Sequence, residues 1–221
     1  MVTNPPTRLT RMSDKAVTDL AALHDLLDDV LLGHVAVVTG AHPVAFPTAV
    51  ARDGDRLLVH GSTGSSWLRT LSGGAPASVT VTALDAVVVA RSGFESSFHY
   101  RSAVLFGSFA ALDGAEKERA LDVLVDRILP GRSGELRRPT KRELAATLIL
   151  ALPIAEWSLK VSRRWPDDPP EDVDGPAWAG VVPLRRGYGG PVPAPDLRAG
   201  VPVPPSVRAL VMGRRARAAD G

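Results

Sequence analysis

Six small residues, Gly61, Ser62, Thr63, Gly64, Ser65 and Ser66, follow the strand-like run Arg56 to His60 and precede a short helical stretch, Trp67 to Leu71, that contains Arg69. Backbone N–H groups at such a strand-loop-helix junction, joined by Ser and Thr hydroxyls, can cradle a phosphate, and Arg69 one turn into the helix could add positive charge. The Gly-Lys-Ser/Thr ending of a nucleotide P-loop is missing, and the same residues also suit an ordinary turn with Ser65 as helix N-cap. A second group, Tyr100, Arg101 and Ser102, opens a long apolar strand just after His99. A charge beside so much apolar surface requires an anionic partner, which for Arg101 is either a protein carboxylate or a ligand phosphate. Lys160 stands between Ser158 and Ser162 on the polar side of an alternating strand, either solvated or facing the same anion.

These residues need elements to position them. Thr18 as N-cap, Asp19 and the recurrence of Leu20, Leu23, Leu27 and Val30 predict an amphipathic helix ending at Gly33. Strands follow at 34–39, 44–51 and 56–60, the last two joined by an Asp53-Gly54 hairpin turn, and Pro47 assigns the middle one to an edge or a bulge. Residues 76–82 and 84–91 read as two further strands, the first with Ser78, Thr80 and Thr82 opposite Ala77, Val79 and Val81. The strand from Tyr100 to Leu112 is apolar on both faces and so should be covered twice. Capping-box spacings at Asp113/Glu116 and Thr140/Glu143 predict two helices, the second running to about Leu152. Alternation returns at 154–163, and a last strand is read from Trp178 to Pro183. The expected organisation is an N-terminal arm (1–17), a barrel domain with helical insertions (18–184) and a Gly/Pro/Arg-rich tail (185–221), poorly ordered or extended. Six or seven strands in succession with appended helices point to a mainly β, α+β antiparallel barrel rather than a doubly wound sheet.

Composition narrows the chemistry. With no cysteine among its 221 residues, the chain has no thiol couple, disulfide, iron–sulfur cluster or cysteine zinc site, so any redox function must come from a bound cofactor. The net charge of +2 is too even for a whole-surface nucleic-acid binder, although 22 of the 26 cations are Arg and three of them, Arg214, Arg215 and Arg217, cluster at the tail. Neither a 20–50-residue repeat nor a Gly-x-Gly-x-x-Gly after a strand is present, and no Gly-x-Ser-x-Gly elbow suggests a hydrolase. The five histidines show no short metal-ligand spacing. No apolar run reaches the roughly 18–20 residues of a membrane span, and residues 1–11 hold no signal-type apolar stretch, so a cytoplasmic protein is expected.

The ordered set of these motifs resembles the pyridoxamine 5'-phosphate oxidase-related, FMN-binding split-barrel family, in its nitroimidazole-resistance nitroreductase-like branch. The resemblance covers roughly 18–183 and is carried by Gly33 to Val38, Leu58 to Ser62, Ser66 to Arg69, Ser78 to Thr82, Tyr100 to Gly107, Pro130 to Arg132, Pro139 to Leu144, Ser158 to Val161 and Trp178 to Pro183. It implies a homodimer with FMN in a cleft between subunits. His60, Gly61 and Ser62 would line the ring, with His60 also the candidate catalytic residue, and Ser65, Ser66 and Arg69 would approach the phosphate. Thr80, Val81, Thr82, Tyr100, Arg101 and Ser102 would flank the cofactor, with Lys160 and Trp178 contributed by C-terminal segments. The implied activity is electron transfer from a nicotinamide or similar reductant to a small acceptor such as a nitro compound, quinone or oxygen. The deazaflavin F420, or a non-catalytic flavin or haem carrier, are the alternatives on the same fold. His99 stands where relatives carry Asn, and the Arg and Gln signatures for pyridoxal phosphate are absent, so pyridoxamine phosphate oxidation itself is not expected.

Overall fold

The computed structural model describes Thr7 and residues 12–219, with side chains through Gly213. In chain order the elements are β1 (Ala16–Val17), α1 (Leu20–Asp29), β2 (Leu32–Thr39), β3 (His42–Ala49), β4 (Ala51–Asp53), β5 (Arg56–Ser62), α2 (Ser66–Ser72) and β6 (Pro76–Val89). They continue with β7 (Ser97–Ser108), β8 (Ala110–Ala111), α3 (Gly114–Ile128), α4 (Lys141–Ala146), β9 (Thr147–Pro153), β10 (Glu156–Ser162), α5 (Pro170–Val173), β11 (Gly180–Pro183) and α6 (Pro205–Ala219).

The strands form two antiparallel sheets. The larger runs β1-β10-β7-β6-β2-β3, with β11 also on β6, and the smaller runs β4-β5-β9-β8. The chain crosses between them at Val50, whose N–H donates to the Leu31 carbonyl between β3 and β4. This is the expected split barrel. Its interior is filled by alternate residues of the strands, Val35, Val37, Val79, Val81, Ala103, Leu105 and Leu159, together with Leu57 and Val59 from the smaller sheet. Leu23, Leu26 and Leu27 of α1 close the barrel and are fully buried, each contributing about 1.5–3 kcal/mol of hydrophobic stabilisation. A second core, Leu58, Ile149 and Ala151 against Ala120 and Leu124, packs α3 on the outside of the smaller sheet.

Several boundaries differ from the sequence reading. Asp19, not Thr18, caps α1, its carboxylate accepting from the Ala21 N–H, and the helix stops at Asp29. There the Arg127 guanidinium donates to the Leu27 and Val30 carbonyls and so satisfies the helix's open end. Residues 76–89 are one strand carrying a bulge between Leu84 and Ala86. The helix expected to run to Leu152 ends at Ala146, because residues 147–153 pair along their whole length with β5. Thr147 to Leu152 is a short apolar run that periodicity cannot assign, and the open edge of β5 decides it. The tail has no regular element from 184 to 204, only turns closed by the Leu197 and Val201 N–H groups on the Ala194 and Arg198 carbonyls. Ser206 then opens α6 by donating its N–H (3.0 Å) and hydroxyl (2.6 Å) to the Glu135 carboxylate. The side chains of Arg214, Arg215 and Arg217 lie outside the described residues. Pro47 does sit on an edge strand, where with Pro43 it removes two donors that could otherwise recruit another strand.

The capping box predicted for α4 is complete. Glu143 N–H donates to Thr140 Oγ1, Thr140 N–H donates to Glu143 Oε2, and Arg137 holds both carboxylate oxygens at 2.9 and 2.6 Å. The Arg137 guanidinium, followed by the two Thr140 donors, pulls the Glu143 carboxyl down to about 2. Because the folded value is depressed, this contribution to stability is complete above the ordinary carboxylate range and is lost as pH falls towards 2. Melting temperatures between pH 6 and 2 should therefore converge for wild type and Glu143→Gln at the acid end; a constant difference across that range contradicts the assignment.

Candidate functional site

Strand alternation divides the larger sheet into two chemical faces. The interior face is aliphatic, while the outer face carries Ser78, Thr80 and Thr82 of β6, Tyr100, Ser102 and Val104 of β7, Ser158 and Lys160 of β10, and His34 of β2. Register lines these up in rows: Lys160 opposite Ser102 opposite Thr82, and Ser158 opposite Val104 opposite Thr80 opposite His34. The Thr82 and Ser102 hydroxyls are 3.1 Å apart and hydrogen-bonded. The result is a partly exposed surface of hydroxyls, apolar groups, the Tyr100 ring, the His34 imidazole and one ammonium. The sequence analysis placed Thr80, Thr82, Tyr100, Ser102 and Lys160 at the site, and the fold brings them together. His34 was missed there, although its alternation with Val35 and Val37 already turned it outward.

Val81 and Arg101 have the opposite parity. Val81 is 1% exposed in the core, so only its backbone borders the outer face. Arg101 lies in line with Ala103 and Leu105 at the mouth of the barrel. Its Nε and Nη2 donate to the two Asp85 oxygens at 3.0 and 2.8 Å, and Nη2 also reaches Asp29 at 2.7 Å. Of the two partners open at the sequence level, the fold supplies carboxylates. Asp85 is available because it occupies the β6 bulge, and its hydrogen bonds hold the Arg101 guanidinium further above its ordinary value.

The second cluster belongs to the smaller sheet. Ser62 closes the loop after β5, its Oγ accepting from Gly64 N–H (3.1 Å) and its carbonyl from Ser65 N–H (3.0 Å). Thr63 donates both its N–H (3.0 Å) and its hydroxyl (3.3 Å) to the Ala146 carbonyl, tying the loop to the end of α4. Arg69 Nη1 donates to the Thr63 and Gly64 carbonyls at 3.1 and 2.8 Å, so this guanidinium folds back on the loop it was expected to serve. Ser65 is the N-cap residue of α2 by position but makes no side-chain capping bond, and Ser66 begins the helix. Gly61 is dictated by packing, since a Cβ there would lie 2.5 Å from Leu68 Cδ1.

His60 pairs with Ile149 on the outer side of the smaller sheet, beside Leu58. Its Nδ1 is buried and has no hydrogen-bond partner among the described residues, and burial pushes the imidazole's pKa down. A neutral ring with an open nitrogen can accept a proton or ligate a metal ion. His99, by contrast, is engaged: its Nε2–H donates to the Arg164 carbonyl at 2.8 Å. Trp178 is 64% exposed, its ring lying over Gly180 where β11 joins β6. Within one chain, then, the candidate residues form two clusters on different sheets. Among the described residues no cluster of three or more metal-ligating side chains occurs, and no helix is long and apolar enough to cross a membrane.

The chain is similar along most of its length to proteins of known structure. It is 58% identical to a FAD- and haem-binding protein from Mycobacterium smegmatis, over 89% of this chain and 97% of that one, with a TM-score of 0.87. It is 33% identical to a flavocytochrome from Azotobacter vinelandii, over 92% and 95% of the two chains, with a TM-score of 0.86. A 5-nitroimidazole antibiotic resistance protein from Bacteroides thetaiotaomicron, 15% identical over 66% of this chain and 86% of that one, shares the fold at a TM-score of 0.57. No curated protein matches. The pyridoxamine 5'-phosphate oxidase family model matches residues 19–161, well over half the chain. With that match, the two-sheet barrel and a relative at 58% identity, the chain belongs to the pyridoxamine 5'-phosphate oxidase family.

Proposed function

We propose that this protein is a flavin- and haem-binding redox protein that works as a homodimer and passes electrons from a nicotinamide or similar reductant to a small acceptor. The observation that carries this reading is the 58% identity, over 89% of the chain, to a protein that binds FAD and haem. FAD is accordingly the preferred flavin, with FMN and F420 as the competitors.

The residues present fit these groups. The outer face of the larger sheet offers a floor, Val104 and Tyr100, bordered by the Thr82–Ser102 hydroxyl pair and Lys160, with no carboxylate in that row to repel an anionic cofactor. His60, held neutral by burial with an unpartnered Nδ1, suits haem iron. The homodimer belongs to this reading because the two clusters lie on different sheets of one chain, and an interface between two copies could join the loop after β5 of one protomer to the sheet face of the other. When bound, the flavin and haem supply the electron chemistry. The chain's own residues then bind the flavin through the hydroxyl row, hold the loop rigid through Thr63 and Arg69, and present the neutral imidazole of His60.

Absorption spectra of the purified protein, with chromatography of the cofactors released on denaturation, test the proposal. FAD and haem bands are expected, and His60→Ala should lose the haem band while keeping the flavin. Colourless protein whose melting temperature responds to neither FAD, FMN, F420 nor haem overturns it, since a tight ligand stabilises the native state by mass action. Stopped-flow reduction by NADH, NADPH and reduced F420 separates an oxidoreductase from a carrier.

A further inference from the structure

Three cations, Arg69, Arg101 and Lys160, have the sequence context of an anion site; the fold pairs Arg101 with carboxylates and holds one nitrogen of Arg69. Arg69 Nη1 is held by two loop carbonyls, and Arg101 is shared between Asp85 and Asp29 on the interior side of its strand. Lys160 differs: it is partly buried, points to the outer face, and makes no hydrogen bond or ion pair among the described residues. Its row neighbours are Ser102 and, beyond it, Thr82, whose hydroxyls bond each other. Lys160 thus stands in a row whose next members towards β6 are hydroxyls, and its ammonium is left to an acceptor that the described residues do not supply.

We propose, on the basis of the flavin reading above, that Lys160 and the Thr82–Ser102 pair receive the pyrimidine edge of the flavin ring, its N1 and C2 carbonyl, and not its phosphate. The number of donors decides between the two. Among the described strand residues of this face Lys160 is the one Lys or Arg, and the two hydroxyls already share one of their protons with each other. A phosphate dianion calls for several N–H donors or a bidentate Arg. The pyrimidine edge presents its acceptors in a line, as the register aligns Lys160, Ser102 and Thr82, and takes up a single negative charge when two electrons and one proton enter the ring. One ammonium and one free hydroxyl proton complement that charge. Lys160 thereby favours the reduced over the oxidised flavin and sets the potential upward.

The test is titration of the apoprotein with riboflavin and with FAD, plus dithionite titration of the bound flavin against a reference dye, for wild type, Lys160→Met and Lys160→Gln. Both variants should weaken riboflavin and FAD by the same factor. They should also lose about tenfold in the preference for reduced over oxidised flavin, a fall of about 30 mV for a two-electron couple. Weakened FAD binding with unchanged riboflavin binding assigns Lys160 to the phosphate and overturns the proposal. Folded variants with unchanged affinities and potential overturn it too. Wild-type protein that binds neither flavin refutes the flavin reading itself, a separate result.

Discussion

Arg101→Ala should lower the melting temperature of the cofactor-free protein by about 5–10 °C, corresponding to about 2–3 kcal/mol for a chain of this size. The guanidinium is 20% exposed and makes three charge-assisted hydrogen bonds, two to Asp85 and one to Asp29. Removing it leaves two carboxylates facing each other at the mouth of the barrel with no cation between them. Breaking a fully buried pair from one side costs about 3–5 kcal/mol, and the partial exposure of Asp85 and Asp29 reduces that figure. Arg101→Lys should recover part of the loss, because an ammonium can hold one carboxylate but not the bidentate arrangement. Differential scanning calorimetry without cofactor is the decisive measurement. Unchanged stability together with weakened flavin binding would return Arg101 to the direct cofactor contact that its sequence context suggested.

Gly61→Val should cost about 1–3 kcal/mol through overpacking and, by displacing α2, weaken flavin binding about tenfold or more. A Cβ at this position meets Leu68 Cδ1 at 2.5 Å, and Leu68 is 1% exposed among core side chains, so it has little room to retreat. The strain passes to α2, whose Arg69 fixes the Thr63 and Gly64 carbonyls and so the whole Ser62 to Ser66 loop. A double-mutant cycle with Leu68→Ala isolates this contact. Leu68→Ala alone opens a cavity worth about 2–5 kcal/mol, but in that background Gly61→Val should be far less costly. Strictly additive costs contradict the steric account.

Much of the fold was legible because its signals are local. Alternation of Ser78, Thr80 and Thr82 with Ala77, Val79 and Val81 assigned both faces of β6 before any partner strand was known. The Thr140/Glu143 spacing located the start of α4 for the same reason, since both partners of a capping box lie within one turn. Its end was illegible: residues 147–153 are apolar without a decisive period, and pairing with β5, some ninety residues earlier in the chain, makes them a strand. α6 was illegible for a similar reason. Its first turn is held by Glu135, 71 residues away, and its own apolar pattern is too weak to announce a helix.

The candidate site divides along the same line. Residue types and strand parity by themselves determined that Ser78, Thr80 and Thr82 share one face of their strand and Ser158 and Lys160 one face of theirs, and that a chain without cysteine has no thiol redox couple of its own. The tertiary structure alone set the register that lines Thr82, Ser102 and Lys160 up in one row and decided how each cation is engaged. Asp85 and Asp29, 16 and 72 residues from Arg101, take its guanidinium, while two carbonyls five and six residues back hold Nη1 of Arg69. Which face a side chain occupies follows from the backbone period of its own strand. Which charge neutralises it depends on what distant segments bring within 3 Å, and only the folded chain sets that distance.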